Sequence, residues 1–214
     1  MPKFRILLLL LFLMLVGCKK CPDRVPPFTW HEFTGREERV GETKLVRRPT
    51  YRAKVPVRWK RITPGEEVSL LDTKTPLVTF LITDNTKLTL HSFPADTLEE
   101  RIPPSAQVNR WKSQLGAEFF EVEPLSYGGF GGLFFHGSNG NTSCLAWSMQ
   151  LDLAHLQNLL FRASNLEEKE HYRQMGADYT IKVQGPPDEI AEHKEEILFF
   201  AESFGLIQPL PSPL

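Results

Sequence analysis

"PLVTFLI" (residues 76–82) is a nearly continuous apolar, β-rich run, and "TKLTLHSF" (86–93) alternates apolar with polar residues. Alternation with period two marks a strand that buries one face. Asp84-Asn85 between the two runs is a turn signal. The pair is read as a β-hairpin, which requires a sheet to receive it. Five more strands are read on the same grounds, over residues 55–59, 118–122, 127–136, 143–151 and 178–184. "GSNGN" (137–141) turns the chain between two of them, and Gly185-Pro186-Pro187 stops the last.

Helical spacing appears three times. Pro103-Pro104 opens a helix, because proline is tolerated in the first turn, and Gly116 ends it. Val108, Trp111 and Leu115 form its apolar stripe. A second helical stretch spans 152–172, with Ser164-Asn165 as an interruption. A third spans 188–204 and is capped by Gly205. Helices after the third strand, the sixth and the last indicate an α+β fold, an antiparallel β-sheet flanked by helices. The proline-rich tail, 207–214, is read as frayed.

The N-terminus carries an address. Lys3 and Arg5 precede an uncharged apolar stretch at 6–16. A spanning helix needs about 17–25 apolar residues, so this stretch fits the h-region of a signal peptide. Leu15-Val16-Gly17-Cys18 resembles the bacterial lipobox. That resemblance implies cleavage before Cys18, a diacylated sulfur and an acylated (palmitate-type) amino group. The competing readings are a secreted protein cut elsewhere, or a short membrane anchor. More than one acyl chain gives stable anchoring. The expected organisation is a lipoprotein signal peptide at 1–17, a lipidated cysteine and basic tether at 18–50, one domain at 51–206, and the tail. The expected location is the bacterial cell envelope, lipid-anchored on the exported side of its membrane.

Charge is uneven. The formal net charge is -1, yet residues 19–61 hold thirteen Lys and Arg against five Asp and Glu, while residues 62–214 hold ten against twenty-one. Arg47, Arg48, Arg52 and Lys54 fall in a stretch, 44–61, without an acidic residue. Beside a lipid anchor, such residues meet an anionic bilayer surface at about 1 kcal/mol each; the alternative is the solvated face of a strand. Nucleic acid is not an expected partner, because the body of the chain is acidic.

Candidate chemistry is sparse. "GGFGGLFFHG" (128–137) lacks the lysine and hydroxyl residue of a phosphate loop, so its glycines are read as structural. Glu167/His171 and Glu189/His193 sit four apart on helices, two potential ligands each, where zinc needs three or four. His91 and His136 lie on strands, and convergence of the two with Cys144 would favour a metal. Cys144 is read as a buried free thiol, with a Cys21–Cys144 bridge as the alternative. Asp96, Glu99 and Glu100 precede a helix, where its dipole favours acids. No GxSxG occurs, and the chain is expected not to be an enzyme and to need no cofactor. Asn109, Arg110 and Gln114 flank the core position Trp111. They either stitch the helix to the sheet, the favoured reading, or present a polar surface to a partner.

Three segments together resemble the Mog1/PsbP-like proteins, which include DcrB-like bacterial lipoproteins. "VPVRW" (55–59) is similar to their opening strand. Residues 92–116 resemble their strand-to-helix segment through Phe93-Pro94, Val108-Asn109-Arg110-Trp111 and Gln114-Leu115-Gly116, with Ala95 in place of a glycine. "YTIKVQGP" (179–186) and the closing helix are similar to their last strand and helix. The resemblance implies an α-β-α sandwich. Members are mainly binding or assembly factors; PsbP docks on a photosynthetic membrane complex and Mog1 binds a small GTPase. The expectation is a membrane-anchored, non-catalytic binding or assembly factor for an envelope protein complex, the alternative a periplasmic small-ligand or metal-binding protein.

Overall fold

The structure is a computed structural model that describes residues 27–40, 44–95 and 97–211. The signal peptide, Cys18 and Cys21 lie outside the described residues. In chain order the elements are β1 (Phe28–Thr34), β2 (Glu38–Val40), β3 (Lys44–Val46), β4 (Pro49–Pro56), β5 (Lys60–Ile62), β6 (Val78–Leu81), β7 (Lys87–Phe93) and α1 (Pro104–Leu115). Then come β8 (Phe119–Tyr127), β9 (Phe130–Ser138), β10 (Ser143–Leu151), α2 (Leu153–Arg162), α3 (Leu166–Met175), β11 (Asp178–Gly185), α4 (Pro187–Glu192), α5 (Lys194–Ser203) and β12 (Gly205–Leu206).

The main sheet is antiparallel, with strand order β5-β6-β7-β11-β10-β9-β8. A smaller sheet, β1-β4-β12, packs against one of its faces. Period-two alternation decides what lies between them. Leu88 and Leu90 of β7 and Ile181 and Val183 of β11 are fully buried there, against Phe33, Tyr51, Ala53 and Val55 of the small sheet. Helix α5 completes this core with Ile197 and Phe200, followed by Phe204 just past its end, and the rings of Phe80, Trp59 and Phe33 meet Phe200 at 5.7–6.3 Å. The opposite face of the main sheet receives α1. There Val108, Trp111 and Leu115 pack on Phe135, Cys144 and Ala146 of β9 and β10. The α+β class expected from the sequence is the one observed.

The hairpin forms as expected: Val78 pairs with Leu90, and the Ile82 amide donates to Thr86 O across Asp84-Asn85. Gly116 ends α1 at φ 60°, and Asn165 starts α3 by accepting from the Glu168 amide, which places the interruption where it was read. Gly128 and Gly129, at φ 60° and 83°, make a two-residue loop between β8 and β9. At Gly132 a Cβ would lie 2.0 Å from Ser148 O, so only glycine fits. The glycine-rich segment is therefore a hairpin.

Several boundaries differ from the reading. Residues 28–40 and 44–50 are not a tether: β1 pairs along β4, from Phe28 opposite Pro56 to Phe33 opposite Tyr51. Phe33 is buried, as are Arg36, Glu37 and Glu38. Their alternation is hidden because Phe28 and Trp30 face outward while Phe33, an odd number of residues on, faces the core. Strand β8 runs through Pro124, which an edge strand tolerates because one side needs no donor. The strand at 55–59 ends at Pro56 and resumes as β5 after a turn. The last helix breaks at His193 into α4 and α5, and Gly205 does not cap it but starts β12, paired to β4. The tail is docked as far as it is described: the Ile207 amide donates to Thr50 O, and Asn158 Nδ2 to Pro211 O.

Candidate functional site

Helix α1 covers only the β9–β10 half of its sheet face. Over β7 and β11 the face stays open, as a groove of about 520 Å³. Its floor is one face of two alternating strands, Lys87, Thr89, His91 and Phe93 on β7 beside Gln184, Lys182 and Thr180 on β11. One wall is the face of α1 that carries Gln107, Arg110, Trp111 and Gln114, spaced i, i+3, i+4, i+7. The other wall is Thr73-Lys74, in the loop between β5 and β6.

Arg36 builds that second wall from a distance. Its guanidinium, buried in the segment after β1, donates to Ser92 O at 3.1 Å, Asp72 O at 3.1 Å, Thr73 O at 3.2 Å and Leu70 O at 3.4 Å. One cation thereby holds the 70–73 loop against β7. Burial lowers its pKa to about 10, still charged at neutral pH. Arg101 fixes the approach to α1 in a similar way: it is paired with the buried Asp178 at 2.5 Å and donates to Leu151 O at 2.8 Å. Asn139 Nδ2 closes the far end of α1 by donating to Leu115 O.

The groove has one sign of charge. Lys74, Lys87, Arg110 and Lys182 line it, and no carboxylate does. Among the described residues, none of the four makes an ion pair. His91 donates from Nδ1 to Thr73 O at 3.2 Å. Burial lowers its pKa, and the charges of Arg36, Arg110 and Lys182 lower it further, against the raising effect of the Thr73 carbonyl.

Of the three residues read on α1, Arg110 and Gln114 line the groove, while Asn109 is exposed outside it. Neither Arg110 nor Gln114 stitches α1 to the sheet by a hydrogen bond among the described residues. Trp111 is buried, as read. Reading the sequence missed the floor. Its signal was the polar set of β7 and β11, each alternating with fully buried apolar residues.

The basic stretch divides. Arg47 is bound to Glu37 at 2.8 Å and to Val68 O, and Arg48 to Glu167 with Glu38 at 3.4 Å. Arg52 and Lys54 instead stand on the outer face of the small sheet, 5.1 Å and 5.4 Å from the centre of the Trp30 ring. Trp30 is 55% exposed and Val57 58%, and the Val57 amide donates to Pro27 O, where the described chain begins. Phe28 and Phe199 touch at 4.4 Å beside Lys54, and Glu32 shares the face opposite Arg52.

The metal candidates do not converge. His91 is on β7 and His136 on β9, with β11 and β10 between them; Glu121 is 3.8 Å from His136. Cys144 is buried under α1, and burial raises its thiol pKa to about 11. Glu189 accepts from Thr83, Asn85 and Thr86, while His193 meets Arg58 at 2.8 Å. Glu167 binds Arg48, and His171 lies 3.5 Å from Glu38, which raises its pKa. Among the described residues no helix is long and apolar enough to cross a membrane.

No protein-family model matches the sequence, and no curated protein matches it. Among solved structures the chain is similar to cyanobacterial PsbP (CyanoP) from Synechocystis sp. PCC 6803, at 15% identity and a TM-score of 0.45, over 88% of this chain and 98% of that one. It is also similar to LpqN, involved in cell envelope biogenesis of Mycobacterium tuberculosis, at 14% identity and a TM-score of 0.43, over 83% and 91%. Both likenesses concern fold alone.

Proposed function

We propose that this protein is a lipid-anchored, non-catalytic binding factor of the bacterial cell envelope. In this reading Cys18 carries the lipid, the outer face of the small sheet rests on the bilayer, and the groove receives a ligand or a partner in an envelope complex. One observation carries it: the chain builds two basic surfaces on opposite sides of one core. The small sheet packs on one face of the main sheet and the groove lies on the other. The Trp30 face suits a lipid interface, where an indole with flanking Lys and Arg is at home. It also lies where the chain arrives from Cys18, nine residues before Pro27.

The chemistry of the groove supports binding over catalysis. Beside Phe93, Ile102 and Trp111 its lining is cations, amides, hydroxyls and one histidine, without a carboxylate to act with that histidine. Cys144 is buried and protonated at neutral pH, which is the opposite of an activated thiol. Fractionation tests the anchor. Wild-type protein is expected in the membrane fraction and labelled by a fatty-acid analogue, with both properties lost in Cys18→Ser. Undiminished labelling in that variant contradicts the reading.

A further inference from the structure

We infer that the groove between α1 and strands β7 and β11 is a binding site for a small, soluble, multiply phosphorylated molecule. The inference rests on the binding reading above and names the ligand class of that groove.

Three features point the same way. The first is uncompensated charge: Lys74, Lys87, Arg110 and Lys182 share one concavity that no carboxylate lines. Like charges gathered in a cleft repel one another, and the cleft focuses their field on an incoming anion. Two phosphates supply the two to four negative charges that balance four cations. The second is donor chemistry. Arg110 offers a guanidinium fork that matches two phosphate oxygens at once, and the lysines act as point charges around it. Thr89, Thr180 and the amides of Gln107, Gln114 and Gln184 supply neutral donors between the cations. The third is size and polarity. About 520 Å³ is the volume of a small-molecule site. Hydroxyl, amide and ammonium groups of β7 and β11 stand beside Phe93, Ile102 and Trp111, so the body of the ligand offers both polar groups and an apolar face, as the ring of a phosphorylated sugar does. The groove opens on the side of the domain away from Trp30. The ligand therefore comes from solution and not from the headgroups of the bilayer.

The site is also held rigid. Arg36 pins the wall at 70–73 by four carbonyls, His91 adds a bond to Thr73 O, and α1 is fixed at both ends. A rigid site loses little conformational entropy when its ligand arrives.

The test is calorimetric titration of the detergent-solubilised full chain with inorganic pyrophosphate, with inorganic phosphate in parallel. The expected result is saturable one-to-one binding of pyrophosphate, at least tenfold tighter than phosphate and weakening as salt rises. Combining Arg110→Ala with Lys182→Ala should weaken it at least tenfold, while the melting temperature and the membrane fraction stay unchanged, since Arg110 is exposed and Lys182 half-buried at the groove surface. Phosphatidylglycerol vesicles should not displace pyrophosphate. Absence of saturable binding, equal affinity for the two anions, unchanged affinity in the double variant, or displacement by the vesicles overturns the inference. The anchor is judged separately: Cys18→Ser should keep full pyrophosphate affinity, so failure of the ligand class and failure of the anchored reading give different results.

Discussion

The outer face of the small sheet and the groove of the main sheet are both basic, yet they are built differently. On the first, Arg52 and Lys54 stand over an exposed indole, on a pleated surface. On the second, four cations converge from two strands, a helix and a loop, and of the two aromatic side chains beside them Trp111 is buried and Phe93 half-buried. An exposed aromatic ringed by cations matches a surface that is itself layered, apolar inside and anionic outside. A concavity of one sign matches a compact anion. Net charge alone, even counted by segment, does not separate the two. What separates them is which neutral side chains stand between the cations.

The largest effect expected is the loss of what holds both surfaces in place. Phe80 is fully buried and meets Phe33, Trp59 and Phe200. Phe80→Ala should destabilise the domain by about 3–5 kcal/mol in chemical denaturation, whereas Gln114→Ala in the groove should stay within about 0.5 kcal/mol. Comparable losses would mean that the groove is part of the core.

Arg36→Met is expected next, at about 3 kcal/mol, because the carbonyls of Leu70, Asp72, Thr73 and Ser92 lose their donor. This change should weaken anion binding in the groove and leave vesicle binding intact. Weakening both equally would erase the distinction between the surfaces.

Arg52→Ala with Lys54→Ala should do the reverse. In the unlipidated Cys18→Ser form, association with anionic vesicles at low salt should fall by about 2 kcal/mol, at about 1 kcal/mol per basic residue. It should also fade as salt shortens the screening length toward about 8 Å.

The smallest effect is a pH dependence. His91 is surrounded by Arg36, Arg110 and Lys182, with Lys74 and Lys87 also in the groove and Thr73 O as its acceptor. Burial and these charges lower its pKa, so the unfolded chain takes up the proton first as pH falls. Stability attributable to His91 is present above about pH 6.5 and is lost as pH drops from there toward the folded pKa. His171, raised chiefly by its bond to Glu38, has the opposite slope: its contribution is present below about pH 6.5 and lost as pH rises through the folded value. Denaturation at a series of pH values should therefore show His91→Gln losing less stability than wild type on acidification. An anion in the groove should relieve the same repulsion; pyrophosphate itself loses charge as pH falls, so the reading is the difference: affinity should shift toward wild type relative to His91→Gln on acidification.

The parts of the fold that local pattern specifies were legible in the sequence. The hairpin at Asp84-Asn85, the helix ending at Gly116 and the break at Ser164-Asn165 each depend on a few adjacent residues. The first strand was not, because Phe28 and Trp30 face outward and the single inward phenylalanine, Phe33, is out of step with them, and Arg36 finds its acceptors as far away as Ser92. Half of the groove was legible, as the polar positions Arg110 and Gln114 beside a core tryptophan. The other half needs β7 beside β11, His91 opposite Thr180, a pairing between residues 89 apart that no local pattern contains. The same holds for the basic stretch: four residues alike in sequence separate only when Glu37 and Glu167 fold back onto two of them.

Orientation on the membrane tests the account most directly. The four tryptophans are distributed favourably for this: Trp30 is 55% exposed on the small sheet, while Trp59, Trp111 and Trp147 are each at most 5% exposed. Full-length protein reconstituted in anionic vesicles that contain lipids brominated near the headgroup should lose part of its tryptophan fluorescence, and Trp30→Phe should remove that loss. Quenching that persists undiminished in Trp30→Phe, or no quenching in wild type, would contradict a domain that rests on its small sheet and turns its groove away from the bilayer.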